Sequence, residues 1–361
     1  MIKLKPENVL TINNEYKYCT DNVLIKGTFC TLYKGYLISD ENNKNKKFYT
    51  IKAESSSTKH PQLKHEYEIL THLQKNSLHL KVTGIPKFSK YYHSINNKNY
   101  IIMDLYGYTL EQIFELSEYK LNHISVFNIL NKILDIIKYI HLNRIIHRDI
   151  EPSHLIYTIE DTSDLLFGNN GKKEGKMDSN SDLFLLDYGL CKFYCNSKKI
   201  HINFKDNKKP IGNMIFCSIW NLLGIEESRR DDLDAFCNII IYLMTGKLPW
   251  MNIKAKTHQE IKARIKEIKI SISPMEICKN VPLIYNENCL KIIEYVRSLQ
   301  FTDEPNYDYI KNLINNCVEK CKSINSHKVL SNLIVIKNKS EDAEIERILE
   351  KRRKEREQLL N

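Results

Sequence analysis

Residues 145–155 read IIHRDIEPSHL and residues 183–189 read LFLLDYG, and these two stretches define the architecture of the chain. The first follows residues 124–142, whose apolar side chains recur every three or four positions, so Asp149 is expected in a loop directly after a long helix. The second places Asp187 directly after a short apolar strand. One carboxylate can accept a proton from a hydroxyl group, and the other can bind Mg²⁺, a hard cation that prefers oxygen ligands.

A lysine and a glutamate earlier in the chain lie on the kinds of element that such a site requires. Lys52 ends the strand-like run YTIK, and Glu66 lies in a segment that begins at Pro61. The proline and the helical spacing of the apolar residues after it predict a helix. A surface ion pair of little energetic value is the alternative. The placement of Lys52 on a strand and of Glu66 on the next helix favours a functional pair.

The chain changes from strand patterns to helix patterns partway along its length. Strands are predicted in residues 21–36, 48–53 and 100–105, and helices in residues 124–142 and 231–246. This order predicts an α+β fold with a β-rich first lobe and a helical second lobe. The predicted divisions are an extension at 1–15, a first lobe at 16–104, a second lobe at 105–325 with an inserted polar loop near 159–182, and a charged helical tail at 326–361.

Composition and charge exclude several classes of protein. Hydrophobic residues make up 42% and charged residues 27% of the chain, as in a globular protein. No apolar run is long enough to span a membrane, and the N-terminus lacks the apolar core of a secretory signal. The net charge of +10 is spread along the chain and does not select a class of acidic partner. Ten cysteines without a C-x-x-C pair favour an intracellular protein, cytoplasmic or nuclear, and no membrane or nucleic-acid partner is expected.

Five segments make the chain similar to one family of enzymes. They are TKHPQL at 58–63, IHRDI at 146–150, LGIEESRRDDL at 223–233, GKLPW at 246–250 and RSLQFTDEPNY at 297–307. On these segments the chain resembles the casein kinase 1 family of protein kinases over roughly residues 16–325, a domain-sized unit. The resemblance implies a bilobal kinase fold that holds ATP at the hinge between its lobes. It also implies phosphorylation of serine or threonine, with a protein as substrate or partner.

The resemblance implies roles for individual residues. Asp149 would be the catalytic base, Lys52 and Glu66 would form the phosphate clamp, and Asp187 would bind Mg²⁺. The nucleotide site would comprise Gly27 of the phosphate loop, Lys52, Met103 at the gatekeeper position, and the backbone of Asp104 and Leu105 beside adenine.

Other residues are expected to be structural. His147 and Arg148 are predicted to shape the catalytic loop, and Asp232 is predicted to anchor its backbone from a buried helix. Trp250 and Phe301 are predicted to lie in the core of the second lobe. Cys30 is predicted to fill space as a small apolar side chain. The lysine-rich residues 198–209 and 254–269 are predicted to form either a site for acidic substrates or a solvated surface.

Several positions depart from the family pattern around the reacting phosphate. Glu151 stands where the family has a lysine, two residues after Asp149, and His154 replaces an asparagine that would bind metal. Asn213 replaces the threonine that would bridge the catalytic aspartate and that lysine. A carboxylate repels the γ-phosphate, and imidazole is a poor ligand for Mg²⁺.

Two further departures affect the phosphate loop and the substrate side. Residues 25–30 read IKGTFC against a G-x-G-x-x-G pattern, so only Gly27 remains and the side chains of Ile25 and Cys30 restrict close approach of a phosphate. Ile215 replaces an arginine that helps the family bind substrates that already carry a phosphate, which predicts a weak preference for such substrates.

The departures allow two interpretations. In the first, the chain is a pseudokinase that keeps part of the ATP site and acts as a scaffold or allosteric regulator. In the second, it is an active, slow Ser/Thr kinase in which Lys52, Glu66, Asp149 and Asp187 supply the phosphate clamp, the base and one metal ligand. A cationic His154 paired with Glu151 would restore part of the charge balance. The placement of charge in a site that excludes water favours the first.

Overall fold

The structure, a computed structural model, describes residues 9–12, 16–27, 30–40, 47–59, 61–80, 84–93, 97–158 and 182–327. The predicted polar loop and charged tail lie outside these residues, apart from Asp182 and the last two residues of the final helix.

The described strands of the first lobe form a six-stranded antiparallel sheet in the order β1-β2-β3-β4-β6-β5. The strands are β1 (Val9–Ile12), β2 (Tyr16–Lys26), β3 (Thr31–Leu37), β4 (Phe48–Ser55), β5 (Phe88–His93) and β6 (Lys98–Asp104). Side chains alternate along β4, so Ile51 and Ala53 join a small core on one face while Lys52 and Glu54 point to the other. That alternation directs Lys52 towards the helix that follows.

Helix α1 (Leu63–Leu80) packs on β6 and has its start fixed by a buried side chain of β4. Oε1 of Glu54 accepts hydrogen bonds from the backbone N–H groups of Gln62 and Leu63, at 2.7 and 3.3 Å. A carboxylate at this position satisfies N–H groups that have no partner within the helix and complements the helix dipole. The predicted helix is confirmed, and its first helical residue lies two positions after Pro61.

The second lobe is helical, and with the sheet before it the α+β class is confirmed. Helix α3 (His123–Leu142) packs in the core against α5 (Arg229–Thr245), which ends at Gly246, so both helices predicted for this lobe are confirmed. The other helices are α2 (Leu110–Leu116), α4 (Ile219–Leu222), α6 (His258–Ser271), α7 (Pro274–Ile277), α8 (Leu283–Ser298) and α9 (Tyr307–His327). No helix in the described part of the chain is both long and apolar enough to cross a membrane.

The aromatic residues predicted to lie in the second-lobe core are both buried. Trp250 is 1% exposed and belongs to the large apolar core. Phe301 lies at the edge of that core, where its ring contacts the rings of His201 and Phe204.

Two short ladders bring the decisive loops together. Strand β7 (Ile145–Ile146) pairs with β10 (Lys192–Phe193), and β8 (Leu155–Tyr157) pairs with β9 (Leu183–Leu185). The loop that carries Asp149 connects β7 to β8, and the loop that carries Asp187 connects β9 to β10. Because both ends of each loop are paired with the ends of the other, the two aspartates are held side by side.

Lys269 differs from the sequence prediction, which treated residues 254–269 as a basic surface. The other lysines of this segment are exposed, but Lys269 is 1% exposed, and its Nζ donates to the backbone carbonyls of Met214, Ile215 and Cys217 at 3.0, 3.0 and 2.6 Å. A buried ammonium group is stable only where such acceptors replace water. Lys269 therefore fixes the shape of residues 214–217 and is not available to a substrate.

The first lobe meets α3 at a glycine. Gly84 has φ +99°, and its carbonyl accepts a hydrogen bond from the N–H of Leu185 at 3.0 Å. A Cβ atom added at this position would lie 2.4 Å from Cγ1 of Ile136 on α3. Only glycine fits both the backbone angle and the close approach.

We therefore expect Gly84→Ala to lower the free energy of unfolding by about 3 kcal/mol, from the left-handed backbone angle and the overlap with Ile136 together. Gly246→Ala is the matched control, because Gly246 has φ +76° but an added Cβ would come no closer than 3.3 Å to a neighbour. That control should lose only about 1 to 2 kcal/mol. Urea denaturation of both variants measures the difference, and equal losses would contradict the predicted overlap.

Candidate active site

The centre of the cleft is an ammonium group between two carboxylates. Nζ of Lys52 lies 2.6 Å from Oε2 of Glu66 and 3.0 Å from Oδ1 of Asp187. Burial lowers the pKa of Lys52, but the two carboxylates more than offset that effect and raise it, so the lysine is charged. Burial also raises the pKa of Asp187, but Lys52 and His154 hold it well below its usual range.

Helix α1 is held against the second lobe along its length, which keeps Glu66 in place. Nε2 of His65 lies 2.7 Å from the carbonyl oxygen of Cys191, in the loop that carries Asp187. Further along the helix, the hydroxyl group of Tyr139 donates to the carbonyl of Leu73 at 2.6 Å. The pairing predicted for Lys52 and Glu66 is therefore assembled in the structure.

The loop that carries Asp149 is anchored by one buried carboxylate. Asp232 accepts hydrogen bonds from the backbone N–H groups of His147 and Arg148, at 2.7 and 2.8 Å, and contacts Nε2 of His141 at 2.9 Å. Arg148 has φ +71°, a conformation that needs such support in a residue with a side chain. The prediction that Asp232 anchors this loop is confirmed.

The carboxylate of Asp149 is oriented from the opposite side of the cleft. Its Oδ1 accepts a hydrogen bond from the backbone N–H of Asn213 at 3.0 Å. Gly212 has φ +71°, and a Cβ atom there would lie 2.7 Å from the same oxygen, so only glycine permits this contact. Burial and the charge of Glu151 raise the pKa of Asp149 to about 6, against the lowering effect of His154.

Glu151 is buried, and polar neighbours hold its carboxylate in place. It is 8% exposed and accepts hydrogen bonds from the side-chain amide of Asn213 and from the hydroxyl group of Ser153. Asn213 therefore bridges Asp149, through its backbone, and Glu151, through its side chain. The resemblance implies a bridging threonine at this position. Asn213 forms a bridge instead, and its amide N–H can donate to the carboxylate of Glu151.

His154 lies among three carboxylates. Its Nδ1 lies 2.8 Å from the backbone carbonyl oxygen of Asp149, and its Nε2 lies 3.5 Å from Oε1 of Glu151 and 3.8 Å from Oδ2 of Asp187. Burial lowers the pKa of His154, but the charges of Glu151, Asp149 and Asp187 raise it to about 9. The imidazole is therefore cationic at neutral pH in the absence of a metal, and it offsets part of the negative charge of Glu151.

The residues predicted to meet the nucleotide lie at the ends of strands of the first-lobe sheet. The backbone N–H of Gly27 donates to the carbonyl of Cys30 at 2.9 Å and closes the turn between β2 and β3, of which Thr28 and Phe29 lie outside the described residues. Met103 is 7% exposed and packs with Leu63 of α1. Cys30 is partly buried near Lys52, and burial raises the pKa of its thiol.

The backbone that the resemblance places beside adenine follows Met103 at the end of β6. The N–H of Asp104 donates to the carbonyl of Lys87 within the sheet at 3.4 Å, and its carboxylate pairs with Lys47 at 2.7 Å. Leu105 is partly buried at the start of the segment that joins the lobes. Sequence reasoning missed Tyr106, whose ring packs on that of Phe184 with centroids 4.9 Å apart and whose hydroxyl group accepts from the N–H of Lys87.

This arrangement defines a class of protein, the nucleotide-dependent phosphotransferases in which a strand lysine, a helix glutamate and two loop aspartates surround one cleft. The chain matches the family model of the protein kinase domain over residues 18–327 and belongs to that family. The kinase fold expected from the sequence is confirmed.

The donor groups in the cleft fit one Mg²⁺ ion better than two. Asp187 offers carboxylate oxygen in a partly exposed position, as Mg²⁺ prefers. His154, at the second position, offers imidazole nitrogen instead. Among the described residues, no group of three or more His, Cys, Asp or Glu side chains is arranged to hold a metal ion by itself. An ion here would take further ligands from phosphate and water.

We expect acidification to destabilise the chain through His147. Burial lowers the pKa of His147 to about 4, so it stays neutral in the folded chain while the unfolded chain takes up a proton below its ordinary pKa of 6.5. Because the unfolded state then binds more protons, the free energy of unfolding falls between pH 6.5 and 4, by up to about 1.4 kcal/mol per pH unit.

Comparison with His147→Asn isolates this effect in urea denaturation at pH 7, 6 and 5. The comparison is needed because burial raises the pKa of Asp149 to about 6 and of Asp231 to about 7, and those groups act in the opposite direction. The wild type should lose more stability than the variant on acidification. A constant difference between them would contradict a neutral His147.

Proposed function

We propose that this chain is a casein kinase 1-like protein kinase homologue that binds ATP, transfers phosphate poorly, and acts as a scaffold or allosteric regulator of a protein partner. One observation carries the proposal. The carboxylate of Glu151 is buried and held by Asn213 and Ser153 beside Asp149, where the family has a lysine for the γ-phosphate.

Nucleotide binding is supported by the assembled clamp. Lys52 is charged and directed by Glu66, so it can bind the α- and β-phosphates without any movement of α1. Mg²⁺, when bound, would neutralise phosphate charge, and Asp187 is the residue that would hold it. Met103 and the segment after it would meet the adenine ring.

Phosphotransfer is opposed by the charge near the reacting end. Asp149 is oriented to accept a hydroxyl proton, and its pKa of about 6 leaves it ionised at neutral pH. Two cations, Lys52 and His154, face four carboxylates in this cleft. Two like charges about 4 Å apart repel by about 4 kcal/mol at the effective dielectric of a protein surface, and each 1.4 kcal/mol is tenfold in rate. Glu151 would therefore disfavour the transfer.

An active, slow Ser/Thr kinase is the second candidate, and His154 favours it. The cationic imidazole lies 3.5 Å from Glu151 and offsets part of that negative charge. The same three altered positions that oppose transfer are hydrogen-bonded or ion-paired with one another, so the site is ordered.

The casein kinase 1 likeness rests on motifs whose residues have clear structural uses. Asp232, in the SRRDDL run, anchors the catalytic loop, and Glu54, two residues after Lys52, fixes the start of the helix that follows TKHPQL. Ile215 is partly buried against the core where the family has an arginine. We therefore propose a protein partner that is not recognised through a phosphate at that position.

Glu151→Gln should raise ATP affinity about tenfold and change ADP affinity less than about twofold, since the lost negative charge faces only the γ-phosphate. Isothermal titration with each nucleotide in the presence of Mg²⁺ measures both. Glu304→Gln, the same change at an exposed position, is the matched control and should change neither. Equal gains for ATP and ADP would contradict the placement of Glu151. Failure of the wild type to bind either nucleotide at millimolar concentration would refute nucleotide binding.

Phosphotransfer should increase about tenfold or more in the double variant Glu151→Lys with His154→Asn, because the lysine supplies positive charge for the migrating phosphate and the asparagine supplies an oxygen ligand for Mg²⁺. Autophosphorylation with labelled ATP measures the rate, and Asp187→Ala in the same background should abolish it. Wild-type labelling that already depends on Asp187 would favour the active kinase. No gain in the double variant would place the limit in the phosphate loop or at Asn213.

A further inference from the structure

The orientation of His154 is that of a metal-binding histidine. Its Nδ1 lies 2.8 Å from the backbone carbonyl oxygen of Asp149, a geometry in which Nδ1–H donates. That hydrogen bond fixes the ring and makes Nε2 the nitrogen with a lone pair whenever the imidazole is neutral. Metal-binding histidines usually hold their second ring N–H in this way, with a carbonyl or carboxylate.

The second ring nitrogen of His154 lies close to the carboxylate that would hold the ion. Nε2 lies 3.8 Å from Oδ2 of Asp187, and Oε1 of Glu151 lies 3.5 Å from the same nitrogen. Two ligand atoms that each lie about 2.1 Å from one ion are about 3 to 4 Å apart across it. The side chain of His154 is 18% exposed, so solvent competes little for this position.

An imidazole in this position changes which ions the site favours. Mg²⁺ takes oxygen ligands in near-ideal octahedral geometry, whereas first-row transition metals accept imidazole nitrogen together with carboxylate oxygen. Affinity for such mixed sites rises from Mn²⁺ to Co²⁺ and beyond. The kinase fold implies Mg²⁺, but the imidazole nitrogen of His154 is a poor ligand for that ion.

We propose that the nucleotide site of this chain binds a first-row transition-metal ion in preference to Mg²⁺, with Nε2 of His154 and Oδ2 of Asp187 as its protein ligands. The proposal rests on the proposed nucleotide binding, because phosphate and water complete the coordination. The ion replaces a proton on Nε2, so binding releases that proton to solvent. Glu151 adds negative charge beside the ion and, through Asn213, is already fixed there.

The affinity of a non-hydrolysable ATP analogue, measured with Mg²⁺, Mn²⁺ or Co²⁺ as the only divalent ion, tests the proposal. The wild type should bind the analogue about tenfold more tightly with Mn²⁺ or Co²⁺ than with Mg²⁺, the scale on which a metal-site contact changes affinity. His154→Asn should reduce the preference to less than about threefold. His258→Asn, the same change in the first residue of α6, should keep it.

A measurement on the wild type does not depend on the folding of a variant. In ¹⁵N-histidine-labelled protein with the analogue, substoichiometric Mn²⁺ should broaden the imidazole resonances of His154 before those of His258. Equal affinities with the three ions, together with His154 imidazole resonances that do not broaden, would overturn the proposal. His154 would then contribute only its positive charge to the site. Absence of analogue binding with every ion would instead refute the nucleotide binding on which the proposal rests.

Discussion

Lys52 carries its charge at a buried position, and the placement of three elements follows from that single ammonium group. A buried charge is tolerated only where partners replace water, and here Glu66 on α1 and Asp187 after β9 are those partners. The alternation of β4 directs the lysine inward, Glu54 fixes the start of the helix, and the paired short strands hold the aspartate opposite. The cleft between the two lobes is therefore defined by an electrostatic requirement as much as by packing.

The altered residues at the reacting end form a set rather than three separate losses. The side-chain amide of Asn213 donates a hydrogen bond to the carboxylate of Glu151. A threonine at this position could donate only through its single O–H group. The imidazole at 154 is charged because carboxylates surround it. Asn213 and His154 both contact the carboxylate of Glu151. Any one of these three residues without the others would leave a buried polar group with a poorly matched partner.

Much of the framework could be read from the sequence, because periodicity and fixed motifs report local structure. Helices α3 and α5, the strand lysine with its helix glutamate, and the anchoring role of Asp232 all follow from such patterns. The packing of Tyr106 depends on Phe184, which is distant in the chain. The contacts of His154 and Ser153 are close in sequence, but they depend on the irregular shape of the loop, so no periodic pattern predicts them. Lys269 shows the same limit: its segment is rich in exposed lysines, and only the tertiary fold distinguishes the buried one.

The three carbonyl oxygens held by Lys269 belong to the segment that begins one residue after Asn213. Many kinases order the equivalent region only when a modifying enzyme adds a phosphate for arginines to bind. Here Lys269 of α6 donates to main-chain carbonyls of this segment, so a helix of the same lobe fixes part of its shape. The backbone next to the residue that orients Asp149 is therefore held by a side chain of the same lobe.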